Sequence, residues 1–460
     1  MNKIFMQRRL NYSFLLVVLL KLLISGCEEV GVEPEIRFEV NTFPVLAIGS
    51  DAASSGGSID ISTGNNIDAK GVCWSTSPEP TIEDSKTEDG KGRDSFESIL
   101  TDLKATTNYY VRAYAISGDK IEYGVQKKIF TPENTYLDAI VLKTQEEVDA
   151  FGAKGFVHIK GELSIGMSDE LNSSIKSLES LKNLKSVYRL RIANNERLTS
   201  LNGLNNLISV DWGVILTNND VLKNMEGLNN LTSANSLHIG GHGLLEDLSA
   251  LKNLTNGELS VVIYGNKALS NLDGLEGLGG GEFTSIFIFD NPSLVNIKGL
   301  KNIKTAHTIE ITNNVSLLNL EGFNNLEKVR GDVRILYDSA LLDLNGLDNL
   351  KEIGRSLRIR YNPVLTNIID LKNLTKIGDG NSSSSVGLDI FSNVELTTLD
   401  GLERLESVGN SISINCNHLL SDFCALQNID FNSEAEGYFS TIENAYNPTV
   451  EDMEDGNCSM

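Results

Sequence analysis

With 460 residues and 40% hydrophobic side chains, the chain is long enough for two or three domains and apolar enough to fold, which excludes a disordered protein. Its formal net charge of −23 disfavours nucleic acid or an anionic membrane surface as a direct partner, since a polyanion would be repelled.

Residues 1–26 read as an export signal. Lys3, Arg8 and Arg9 form a basic start, and Phe14 to Leu20 with Leu22 to Ile24 form an apolar stretch ending in Ser25 and Gly26. The stretch is too short, and too interrupted by Lys21, for a membrane-spanning helix. The run Leu23, Ile24, Ser25, Gly26, Cys27 resembles the lipobox of bacterial lipoproteins. That resemblance implies that Cys27 heads the mature chain and carries the acyl groups that anchor it to a membrane. Glu28 and Glu29, within a tether over residues 27–33, are similar to the acidic tether of lipoproteins carried to the outer face of the outer membrane. The expected location is the cell envelope, as a surface-exposed outer-membrane lipoprotein.

Residues 34–132 carry short β-type runs, Ile36 to Val40, Ser58 to Ile61, Ala69 to Trp74, Ser95 to Leu100, Tyr109 to Ala115 and Val125 to Phe130, separated by Gly, Ser, Asn and Asp. Such spacing predicts a β-sandwich. Leu103, six residues ahead of Tyr109, resembles the tyrosine corner of fibronectin type III modules, and Gly71 to Ser75 followed by Pro78 to Thr81 is similar to bacterial versions of them. The resemblance implies a spacer whose core holds Trp74 and whose Tyr109 hydroxyl bonds nearby backbone. Cys73 reads as a small buried hydrophobe.

Within a solenoid domain expected over residues 137–460, a unit recurs about ten times between Tyr188 and Ile429, written L-x-I-x-x-N-x-x-L-x-x-L-x-G-L-x-x-L-x-x-V. Its marker position runs Asn195, Asn219, His242, Asn266, Asn291, Asn314, Asp338, Asn362, Asn393 and Asn417, at separations of 23–25 residues apart from one of 31. The longer one carries the insert Gly378 to Val386, whose GDGN start lacks the repeated ligand spacing of a calcium loop. A period of this size signals a solenoid. Alternation in the L-x-I element predicts a strand with one wet face, the Asn a corner and an amide ladder, and the remaining leucines an interior. Gly203, Gly227, Gly274, Gly299, Gly322, Gly346 and Gly401 suit tight corners or positive φ. No run is long enough for a three-turn helix, so strand or extended turn is expected on every side. The fold class is thus all-β: a parallel β-solenoid of about eleven 23–25-residue coils behind a fibronectin type III-like sandwich.

Both ends of the solenoid carry covers. Thr144 to Glu147 matches a capping box for a short helix burying Val148 and Phe151. Among Cys416, Cys424 and Cys458, the pair Cys424–Cys458 is favoured because it would staple the tail to the last coil, with Cys416–Cys458 second.

The N-x-x-L spacing, in units such as Leu388 to Val408, resembles the receptor L-domain repeat, and Ala445 to Asp452 with Cys458 is similar to the C-terminal caps of its bacterial members. The resemblance implies binding of proteins or glycans without chemistry. The middle residues of successive strands, Arg191, Ile215, His238, Val262, Phe287, Glu310, Arg334, Arg358, Asp389 and Ser413, should line an exposed face. On it Tyr264, Phe287, Phe289, Arg334, Tyr337, Arg358, Arg360 and Tyr361 form an aromatic and basic candidate site able to stack sugars or anchor a protein. Glu310, Arg334, Arg358 and Asp389 also read as a self-compensating charge ladder. No catalytic constellation, metal set or cofactor motif appears in the sequence. The expected function is a non-enzymatic, lipid-anchored surface protein that binds a protein or carbohydrate; the alternative is a structural subunit of an outer-membrane assembly.

Overall fold

The computed structural model describes residues 38–61, 66–166, 173–255, 260–279, 284–378, 386–429 and 436–460. The proposed signal peptide, Cys27, the tether and nearly all of the Gly378 to Val386 insert lie outside them. The chain divides into two compact units, 1–131 and 132–460.

The first unit holds two antiparallel sheets. One is built on Phe38–Thr42, Ala53–Ile61 and Phe96–Leu100, the other on Ala69–Ser75, Asn108–Ser117, Lys120–Tyr123 and Lys127–Phe130. The second strand is longer than expected, because Gly56 and Gly57 look like turn residues in the sequence. Their role is close approach: a side chain at Gly56 would collide with the Phe96 carbonyl. Trp74 and Tyr109 are buried in the core, and the Tyr109 hydroxyl accepts the Lys104 N–H at 2.9 Å, as a tyrosine corner requires. Cys73 is a free, buried thiol, and burial pushes its pKa up to about 12.

The second unit is a parallel β-solenoid. Twelve principal rungs run from His158–Ile165 to Glu436–Ile442, one more than expected, and Thr135–Tyr136 and Ile140–Leu142 pair against the first. The additional rung is the last, Glu436–Ile442, beyond the final marker Asn417 of the repeat. In Leu357–Arg360 the first and third residues are buried and the second and fourth face outward, and neighbouring coils repeat this register residue for residue. A second, narrow parallel sheet stacks Thr305–Ala306, Lys328–Val329, Glu352–Ile353, Lys376–Ile377 and Ser407–Val408.

At the corner after each principal strand the marker residues are buried in a continuous ladder. Asn362 donates from Nδ2 to Ile335 O at 3.1 Å and to Asn393 Oδ1 at 3.2 Å, while its own Oδ1 accepts the Asp338 N–H at 3.0 Å. The ladder continues past Asn417 to Asn444, which ends it on Asn447. A second set of amides, unforeseen in the sequence reading, clips the outside: Asn230, Asn325, Asn349 and Asn373 each donate to a carbonyl of the preceding coil at 2.6–2.7 Å.

The corner before the next leucine takes two forms, both closed by a three-residue bond. Gly346 has φ 119°, and Leu347 N–H reaches Leu344 O at 3.1 Å. Where Asp370 replaces glycine, Ile369–Leu371 tightens into a 3₁₀ turn, and Leu371 N–H reaches Ile368 O at 3.0 Å. The expectation of strand or extended turn on every side is corrected here, because among the described residues five coils carry such turns. Gly299 lies in one of them without positive φ; it is needed because a side chain would meet the Leu272 carbonyl.

The ends are closed. Thr144 caps helix Gln145–Gly152 with the reciprocal Glu147 bond, and Val148 and Phe151 are buried against the first coil. Helix Val450–Glu454, capped by Thr449, buries Met453 at the other end, and Cys424 is disulfide-bonded to Cys458, whose carbonyl accepts the Phe423 N–H. Cys416 is free.

Candidate functional site

All eight candidate residues lie on or beside the outward face of the principal sheet, in two groups. In the first, Tyr264 and Phe289 occupy equivalent positions of adjacent coils and stack at 5.1 Å between centroids, 10° from parallel. Phe287 lies beside them, between Val262 and Glu310 in its column, and is half-buried.

Two coils further on is the second group. Arg334 is committed to Glu310 at 2.9 Å and to Asp332 at 3.0 Å. Arg360 pairs with Asp389 and lies 5.8 Å from the centre of the Phe391 ring. Tyr337 and Tyr361 stack at 4.6 Å and 9°, and Phe391 meets Tyr361 edge-on at 5.2 Å. Arg358, between Arg334 and Asp389 in the same column, has no carboxylate partner among the described residues. The expected charge ladder is therefore incomplete. Asp389, expected to be exposed, is only 1% accessible, because the longer Arg360 side chain of the preceding coil folds over it.

Tyr337 and Tyr361 are not in extended strand. They sit one residue before the ladder position with φ of 61° and 58°, in the left-handed region that bulky residues avoid. Asp338, directly after Tyr337, substitutes for asparagine in the ladder. Its Oδ1 accepts the Asn314 N–H at 2.7 Å, while its buried Oδ2 has no partner among the described residues. Burial pushes its pKa from the usual 3.8 up to about 7. In neighbouring rungs the equivalent atom is an NH₂ donating to a carbonyl, as Asn314 does to Ile288 O at 2.9 Å. A neutral acid with its proton on Oδ2 reproduces that donor, and an ionised one does not. His242 fills the other irregular rung, with Nε2 3.1 Å from Leu216 O and Nδ1 3.3 Å from Asn219 N. Burial lowers its pKa, as it does for His238 on the outward face, where Arg189 adds to the effect.

Two aromatic residues escaped the sequence reading. Phe391 was hidden by the insert that lengthens its coil. Trp212 is 48% exposed on a bulge, where Val210 to Gly213 holds one residue more than Val187 to Arg189 opposite, and the Arg189 guanidinium lies 4.2 Å from its ring centre. Repeat length does not mark it, since Asn195 and Asn219 are 24 residues apart like most neighbouring markers. A separate apolar stripe, Val295, Leu318 and Leu342, runs over three consecutive coils past the ladder corner, each side chain more than 40% exposed.

The Receptor L domain family model matches residues 325–435, a span that contains Arg334, Tyr337, Arg358, Arg360, Tyr361 and Phe391. No curated protein and no solved structure matches the chain.

Proposed function

We propose that this is a non-enzymatic binding protein of the cell envelope, held by lipid on Cys27, with a fibronectin type III-like spacer and a solenoid that recognises a protein or glycan through its outward face. The observation that carries the binding role is the concentration of exposed aromatic rings and arginines within the segment matched by the Receptor L domain model. Two antiparallel sheets and the Tyr109 bond support the spacer reading. The Leu23 to Cys27 run supports the anchor.

The test is capture of ligands from a glycan array and from envelope extracts by the full chain, beside Phe287→Ala and Tyr361→Ala. Loss of capture in at least one variant is expected; equal capture by all three proteins would remove this face from consideration. For the anchor, Cys27→Ser should move the protein out of the membrane fraction, and retention there would refute it.

A second reading, a structural subunit of an outer-membrane assembly, is favoured by the Val295, Leu318 and Leu342 stripe, since continuous exposed apolar surface suits permanent packing. Under this reading Leu318→Glu should release the protein from a large envelope complex on native gels, with Tyr361→Ala silent.

A further inference from the structure

The residue ahead of the ladder takes left-handed backbone in coil after coil, at Asn194, Asn218, Gly241, Gly265, Asp290, Asn313, Tyr337, Tyr361, Ser392, Cys416 and Glu443. Most of these are glycine or short polar residues, which tolerate that conformation. The corner therefore has no structural need of tyrosine, yet two consecutive coils carry one. Strain retained where a simpler residue would serve points to use of the side chain.

The geometry points to an acidic oligosaccharide as the occupant of this corner, with a sugar ring on the open side of Tyr337 and a carboxylate on Arg358. This rests on the proposal that the outward face binds a ligand. Tyr361 covers one face of Tyr337, which is still 50% exposed, and the coil on its other side presents only the short Asn313. A flat apolar surface suits the C–H face of a pyranose. Asn313 donates to Asp290 at 2.7 Å, and both are exposed, leaving Asn313 Oδ1 as an acceptor for sugar hydroxyls.

Charge supplies the acidic part. Arg334 and Arg360 are tied to carboxylates, whereas Arg358, a neighbour of both, has none among the described residues, and a guanidinium fork matches a carboxylate with two parallel bonds. Arg358 lies in the strand that leads into the corner, three residues before Tyr361 and one coil on from Tyr337, so the ring on Tyr337 and the carboxylate on Arg358 belong to different sugars of one chain. The overall charge of −23 does not forbid this, since salt screens charges beyond about 8–10 Å. Locally, Arg334, Arg355, Arg358 and Arg360 outnumber Glu310, Asp332 and Asp389. An extended peptide is a poorer fit, because these strands are already paired on both sides and offer it no backbone edge.

The experiment is calorimetric titration of the full chain with tetragalacturonate, its methyl ester and neutral tetragalactose, and with sialyllactose against lactose. At least one acid should bind roughly tenfold or more tighter than its uncharged counterpart, the scale of one charge-assisted contact. Arg358→Gln should abolish that preference. The double variant Tyr337→Asn, Tyr361→Asn should lose binding altogether while unfolding at the same or a higher temperature, because asparagine accepts the left-handed corner. Equal affinity for acid and ester, indifference to Arg358→Gln, or no sugar binding would each overturn the inference. If a protein ligand is captured instead and lost on Tyr361→Ala, the sugar assignment fails and the broader binding role survives.

Discussion

Two columns of residues run side by side along the solenoid, one position apart in sequence, and follow opposite rules. From Asn195 to Asn444 the ladder column is buried throughout and is asparagine at every rung but two. The column beside it is exposed or half-exposed from Asn218 onward, Asn194 alone being buried, and it changes character along the rod: amides at Asn194 and Asn218, glycine at Gly241 and Gly265, tyrosine at Tyr337 and Tyr361. Both are set by the same corner, so the contrast separates what the fold demands from what it permits. A residue type kept along the whole rod serves architecture, and one confined to a few coils is a candidate for recognition.

The contrast can be broken most forcefully from the buried side. Asn362→Ala removes bonds to Ile335 O and Asn393 Oδ1 and strands the Asp338 N–H, so a loss of about 3 kcal/mol or more is expected from urea unfolding. A loss below about 1 kcal/mol would mean that the ladder is ornamental.

A smaller effect is expected at Asp338, where it should depend on pH. Its folded pKa, about 7, lies above the usual 3.8, so the contribution of the neutral acid is complete below about pH 4 and is lost as pH rises through about 7. Asp338→Asn should therefore flatten stability over that interval, with a gain on the order of 1–2 kcal/mol at pH 8 and little change at pH 4. His242 works in the opposite sense: with a lowered pKa, its contribution is present above about 6.5 and declines as pH falls. A pH-independent difference between Asp338→Asn and the parent would show that the carboxyl is not held neutral.

The smallest effect belongs to the exposed side. Phe287→Ser should alter the unfolding free energy by no more than about 1 kcal/mol, as expected for a half-exposed cross-strand position. A cost comparable to that of Asn362→Ala would erase the distinction between the buried ladder and the outward face.

Most of the architecture was legible because the buried positions repeat. The strand leucines, Asn362 and its equivalents, and the capping box at Thr144 each follow from a local rule that the same residues obey in the structure. The exposed site was legible only in part. Tyr264, Phe289, Tyr337 and Tyr361 stood out as aromatic residues where water was expected, but their stacking depends on register between coils. Trp212 was missed because a bulge displaced it from the repeat, and Asp389 misled because burial by Arg360 is a property of two coils together. The Ala53–Ile61 strand was cut short because glycine marks close approach as readily as it marks a turn.

One consequence of the ladder concerns how such a protein can change length. Links such as Asn195 to Asn219, Asn266 to Asn291 and Asn417 to Asn444 run the same way, with the amide of one coil donating to the oxygen of the next. The joint between coils is therefore interchangeable, and a gene encoding the rod can gain or drop whole coils without new joinery. That freedom narrows at His242 and Asp338, where an imidazole and a carboxyl replace the amide, so a coil moved next to either rung meets a joint unlike the others.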